Sequence, residues 1–77
     1  MSFMFEVFYP APEDPKREMA LVDLVNKFGG RLNFRELNGP TNESVCLAFE
    51  FEQTETANRA AQALRLQNEH VEGPYDY

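Results

Sequence analysis

Residues 31–51 read RLNFRELNGPTNESVCLAFEF, and their reading decides the fold. Val45, Leu47, Phe49 and Phe51 alternate with Cys46, Ala48 and Glu50. A period of two, rich in aromatic and β-branched side chains, marks a strand with one face on a core. Arg31 to Leu37 alternates as well, with Leu32 and Phe34 set against Arg31, Asn33 and Arg35. Between the two runs lies Asn38-Gly39-Pro40-Thr41-Asn42, dense in residues that favour turns. Two strands joined by such a loop form an antiparallel hairpin. The loop holds one glycine and precedes no helix, so it is a turn and not an anion cradle.

Elements on either side complete the pattern. Phe3, Phe5, Val7 and Tyr9 alternate with Met4, Glu6 and Phe8, a further strand, and Pro10-Ala11-Pro12 ends it because proline cannot continue a ladder. Asp14-Pro15 then starts a helix: a capping carboxylate followed by proline at the first helical position. Leu21, Val22, Val25 and Phe28 follow at helical spacing, and Gly29-Gly30 supplies a left-handed end. After the hairpin, Thr54 is expected to cap a second helix with the stripe Ala57, Ala60, Ala61 and Leu64, whose small residues allow close approach to a sheet. Around Val71 a short fourth strand is expected, limited by Gly73-Pro74.

The order is β-α-β-β-α(-β), and the whole chain, residues 1–77, reads as one domain, with 70–77 a short strand and tail. With right-handed crossovers the expected architecture is an α+β, ferredoxin-like two-layer sandwich. Its antiparallel sheet has order 4-1-3-2, the fourth strand short or absent, with both helices on one face. Phe5, Leu32, Leu47 and Phe49 are expected to be buried beneath the helices. Met4, Glu6, Phe8, Arg31, Arg35, Cys46, Ala48 and Glu50 are expected on the open face.

Composition bounds the function. The 77 residues carry 13 Asp and Glu against 7 Lys and Arg, a net charge of −6. No stripe of cations is present, so the field of the molecule repels nucleic acid and anionic membranes, and neither is expected as a partner. No apolar run approaches ~18 residues, and Met1 to Phe5 has no basic flank of the kind a signal peptide carries. The single cysteine, Cys46, excludes an intramolecular disulfide and is expected as a buried thiol in a reducing, cytoplasmic setting. A chain this short buries only about 60 % of its unfolded surface, which makes self-association the expected source of added stability.

Residues 45–64, VCLAFEFEQTETANRAAQAL, resemble the third strand and second helix of RNA-recognition-motif domains. The resemblance covers about a quarter of the chain and implies the same fold. It does not carry the family's chemistry across. Ser44 and Val45 stand where that family has Lys or Arg and Gly, and Cys46 and Ala48 stand where its base-stacking rings belong. The Cys-x-x-Cys of heavy-metal-associated domains and the phosphate loop of acylphosphatases, families of the same fold, are also missing.

The remaining candidates have bland readings. His70 is expected at the end of the second helix, where the dipole favours a cation; its alternative is acid–base work with Glu72 or a tail tyrosine. Glu6 and Glu50 are expected on neighbouring strands, in a solvated charge array where Arg31 and Arg35 of the adjoining strand neutralise Glu50 or Glu52, rather than as an acid–base pair or half of a metal site. No catalytic residue, metal or cofactor is expected. Met4, Phe8, Cys46 and Ala48 form an apolar island with Glu6, Glu50, Arg31 and Arg35 around it, the usual build of a protein interface. Tyr75 and Tyr77 are candidates to fold over that island or to meet a partner. The expected function is a non-catalytic interaction or regulatory module, a homodimer through the open face or bound to another protein. The alternatives are a small-ligand or enzymatic role in a pocket at a dimer interface, using Glu6, Glu50 and His70, and a degenerate RNA-recognition-like binder.

Overall fold

The computed structural model describes residues 2–76. Six elements follow one another: β1 (Phe3–Pro10), α1 (Pro15–Lys27), β2 (Arg31–Asn38), β3 (Ser44–Phe51), α2 (Thr54–Leu66) and β4 (His70–Asp76). All strand pairs are antiparallel and the order across the sheet is β2-β3-β1-β4. That is the expected order read from the opposite edge.

Local chemistry sets the helix ends. Asp14 caps α1, its carboxylate accepting a hydrogen bond from the Arg17 amide at 3.1 Å, with Pro15 at the first turn. The helix closes with the Gly30 amide donating to the Val25 carbonyl and Gly29 in the left-handed region at φ +87°. α2 starts one residue earlier than expected. Gln53 is its N-cap without a side-chain bond, Thr54 lies inside the helix, and the Thr56 hydroxyl donates to the Gln53 carbonyl. Asn68, at φ +67°, ends it.

One core forms where the helices meet the sheet. Phe5, Val7, Tyr9, Val45, Leu47, Phe49, Phe51 and Val71 face Leu21 and Val25 of α1 and Ala57, Ala60, Ala61 and Leu64 of α2. The Phe5 ring packs on Phe49 and Phe51 with centroids 5.7 and 5.3 Å apart. Phe5, Leu47 and Phe49 are buried as expected, but Leu32 is 37 % exposed. β2 is an edge strand, and α1 does not reach far enough to cover it; every residue from Arg31 to Leu37 is exposed.

β2 also departs from strict alternation. Its register on β3 runs Arg31 to Glu50 and Leu32 to Phe49, then shifts, so that Asn33 is the extra residue and Phe34 lies opposite Ala48. A bulge of this kind turns every later side chain to the other face. Phe34 therefore leaves the helix side and Arg35, opposite Leu47, joins it. Both placements reverse the expectation from alternation.

β4 is longer than expected. Residues 70–76 pair with β1 from Phe8–His70 to Phe3–Asp76, with a register shift where Gly73-Pro74 passes Phe5. Tyr75 is thus part of the sheet, opposite Met4, and not a tail. Tyr77 lies outside the described residues.

Candidate interaction face

The sheet face away from the helices is assembled by register. β1 contributes Met4, Glu6 and Phe8, and β3 contributes Ser44, Cys46, Ala48 and Glu50. Arg31, Phe34, Glu36 and Asn38 come from β2, and His70, Glu72 and Tyr75 from β4. Of the side chains expected here, all but Arg35 are present. Phe34, Glu36 and Tyr75 are additions, and the signal for the first two was in the sequence. Leu37 falls out of phase with Leu32 and Phe34, as a bulge between them requires.

Cys46 and Ala48 are on this face yet fully buried. Each sits on a central strand with larger neighbours on both sides: Phe8 and Glu36 flank Cys46, and Glu6 and Phe34 flank Ala48. The accessible apolar surface is therefore not the expected island. It consists of Phe34, 43 % exposed, and Tyr75, 51 % exposed, with half-buried Met4 and Phe8 between them.

Carboxylates are interleaved with these rings. Glu50 accepts from Asn33 at 2.9 Å and pairs with Arg31 at 3.2 Å. Hydrogen bonds from Ser2 and Asn33 and the Arg31 charge hold it below the usual carboxylate range. The expected Arg31–Glu50 contact across the ladder is present. Glu6 instead lies beside Cys46, whose sulfur is 3.5 Å from its carboxylate. Burial, followed by the charges of Glu6, Glu36 and Glu72, pushes the Cys46 thiol up to about 12. A thiol so raised is a poor nucleophile.

Arg35 is occupied elsewhere. On the helix side it donates to Glu18 of α1 at 2.9 Å and to Glu13. Glu18 also accepts from the buried Tyr9 hydroxyl, which in turn accepts from the Asp14 amide at 2.9 Å. Arg17 stacks over the Tyr9 ring at 4.9 Å and pairs with Glu69 at 2.8 Å. This network ties the start of α1 to β1, β2 and the connection between α2 and β4. It is a structural lock, and sequence alternation missed it by placing Arg35 on the wrong face.

His70 opens β4 and does not cap α2. Its Nε2 lies 3.0 Å from Glu72, and its ring meets Phe8 edge-on at 5.7 Å. The imidazole borders a shallow groove of about 360 Å³ whose other walls are Phe8, Tyr9, Pro10, Glu43 and Ser44. No hydrogen bond links Ser44 to His70, and both His70 and Glu72 are open to water. Glu43 is already engaged, accepting from the Thr41 amide at 3.1 Å and its hydroxyl at 2.8 Å. Among the described residues no cluster of His, Cys, Asp and Glu is placed to hold a metal ion. No helix among them is long and apolar enough to cross a membrane.

No protein-family model matches the chain, and no curated protein matches it. The functional reading rests on the geometry of the face.

Proposed function

We infer that this chain is a ferredoxin-like, non-catalytic interaction module whose helix-free sheet face receives an extended, basic and apolar segment of another protein. One observation carries the reading. Phe8, Phe34 and Tyr75 stand on an uncovered face among Glu6, Glu36, Glu50 and Glu72, with Arg31 and His70 the only side chains there, among the described residues, that can be cationic. Aromatic rings supply contact area at little entropic cost, and carboxylates around them select a cationic partner. Because Arg31 is paired with Glu50 and His70 with Glu72, Glu6 and Glu36 are the acidic groups left to answer a lysine or arginine.

The same arrangement argues against a second copy on this face. Two such faces brought together place like charges opposite each other, and Arg35 is held on the helix side by Glu13 and Glu18.

The reading is tested by titrating the labelled protein with a short peptide alternating lysine and leucine, and in parallel with one alternating glutamate and leucine. Amide shifts are expected at Phe8, Phe34, Glu36 and Glu72 with the first peptide alone, reduced in Phe34→Ser. Equal response to both peptides, or none to the basic one, would overturn it.

A further inference from the structure

The outer edge of β2 is a second uncovered surface, distinct from the sheet face. β2 has one neighbour, β3, so its other side presents unpaired backbone N–H and C=O groups. It is eight residues long and has no proline, and it exposes apolar side chains on both of its faces: Leu32 at 37 % and Leu37 at 42 % on the helix side, Phe34 at 43 % on the other. Protected edges are short, lysine-rich or covered. This one carries the bulge at Asn33 and the charged Arg31, Arg35 and Glu36, so a strand that pairs with it has to answer those charges.

We propose that a second copy of this chain pairs with the β2 edge, strand against strand about a twofold axis near Phe34, extending the sheet across two chains. Charge complementarity chooses the occupant. Arg31 and Glu36 lie on the same face of β2, with Phe34 between them, because the bulge takes Asn33 out of register. Antiparallel pairing of two identical edges about Phe34 then sets Phe34 beside its own copy. It sets Arg31 of each chain, exposed although it pairs with Glu50 of its own chain, opposite Glu36 of the other, and Arg35 opposite Leu32. Leu37 lies diagonal to the second copy's Leu32 on the opposite face, within reach of its side chain. An isologous contact repeats each of these pairs twice, except Phe34 with its own copy, which lies on the axis and occurs once. A dimer of this kind leaves Glu6, Phe8 and Tyr75 free for the segment proposed above, while Phe34 and Glu36 border both contacts.

Charge reversal with mixing tests this arrangement directly. In sedimentation at micromolar concentration the unaltered chain is expected to dimerise. Glu36→Arg alone and Arg31→Glu alone each set like charges opposite one another twice, and each is expected to weaken self-association about tenfold or more. A one-to-one mixture of the two variants restores opposite charges at both contacts and is expected to form a heterodimer. Circular dichroism of each variant guards against loss of the fold. A monomeric unaltered chain overturns the proposal, as does a mixture that associates no better than its components. Dimerisation abolished by Phe8→Glu but indifferent to Glu36→Arg would place the contact on the sheet face and also overturn it.

Discussion

Phe34 stands opposite Ala48 in the β2–β3 ladder, on the face of the sheet that carries no helix. A large ring on the edge strand thus meets the smallest side chain of the central strand, and the bulge at Asn33 is what brings the two together. The energetic consequence is a contrast between two phenylalanines of the same hairpin. Phe34 is 43 % exposed and Phe49 is fully buried against Phe5. Phe34→Ala is expected to cost about 1 kcal/mol of unfolding free energy, and Phe49→Ala about 3–5 kcal/mol. Urea denaturation of both variants measures this, and equal losses would place Phe34 back in the core.

Where side chains alternate regularly, the fold was legible from residues alone. Phe3 to Tyr9 and Val45 to Phe51 keep strict phase, and Phe5, Val7, Leu47, Phe49 and Phe51 lie in the core as expected. Asp14-Pro15 and Gly29-Gly30 bound α1 as read. Legibility failed where one residue slips the phase, because a bulge costs one position yet moves every later side chain. Arg35 and Phe34 exchanged faces for that reason. It failed also at Cys46 and Ala48, since alternation assigns a face but not whether larger neighbours close over it. His70 was misplaced because nothing in its own chemistry tells the last turn of a helix from the first residue of a strand.

Gly30 and Gly29 separate two reasons for a glycine. A Cβ on Gly30 would clash with the edge of the buried Phe51 ring at its Cζ, whereas at Gly29 it would meet no atom within 4 Å but would need φ near +87°. Gly30→Ala is expected to destabilise by about 1–3 kcal/mol through overpacking. Gly29→Asn, whose side chain tolerates the left-handed region, is expected to cost less than Gly29→Val. Thermal unfolding of the three variants ranks them, and a harmless Gly30→Ala would show that Phe51 can move aside.

The two ends of the pH scale should load different groups. Hydrogen bonds from Arg35 lower the Glu18 pKa below 4.5 against the opposing effect of burial, and the Tyr9 hydroxyl adds to the lowering. The stability linked to Glu18 is therefore present above its unfolded pKa and is lost as pH falls through the lower folded value. Arg35→Met is expected to remove this contribution, so the stability difference between it and the unaltered chain should be larger at about pH 7 than at about pH 3. A difference independent of pH would mean that Arg35 acts through packing alone.

At alkaline pH the sign reverses. Cys46 is raised from 9.0 to about 12, first by burial and then by Glu6, Glu36 and Glu72. Tyr9 is raised from 10.0, first by burial and then by Glu18. Both groups hold their protons longer when folded, so their contribution is intact below the unfolded pKa and is lost as pH rises through the folded one. Stability is expected to decline from about pH 9 to about pH 12, less steeply in Cys46→Ala. The thiol should react with an aromatic disulfide reagent only as fast as the protein opens. Rapid labelling of the folded chain near neutral pH would contradict the buried, raised thiol.

The face poses a sharper question about nucleic acid, because its rings and its charges argue in opposite directions. Phe8, Phe34 and Tyr75 give it stacking surfaces even though Cys46 and Ala48 occupy the places where RNA-recognition-motif domains carry theirs. Stacking of one base on an aromatic ring contributes about 1–3 kcal/mol. Opposing this, the phosphates of a bound strand would run past Glu6, Glu36 and Glu72, and the whole chain carries −6. Phosphate neutralisation supplies most of the affinity in such complexes, and here the sign of the field is wrong. The unaltered chain is therefore expected not to bind single-stranded RNA near physiological salt. If charge alone prevents it, Glu6→Lys, Glu36→Lys and Glu72→Lys together should create binding that falls steeply as salt rises and falls again with Phe34→Ser. Fluorescence anisotropy with a labelled oligonucleotide decides between the cases. Binding by the unaltered chain would show that the carboxylates do not govern the face, and a triple variant that still fails would show that its rings are not placed to stack.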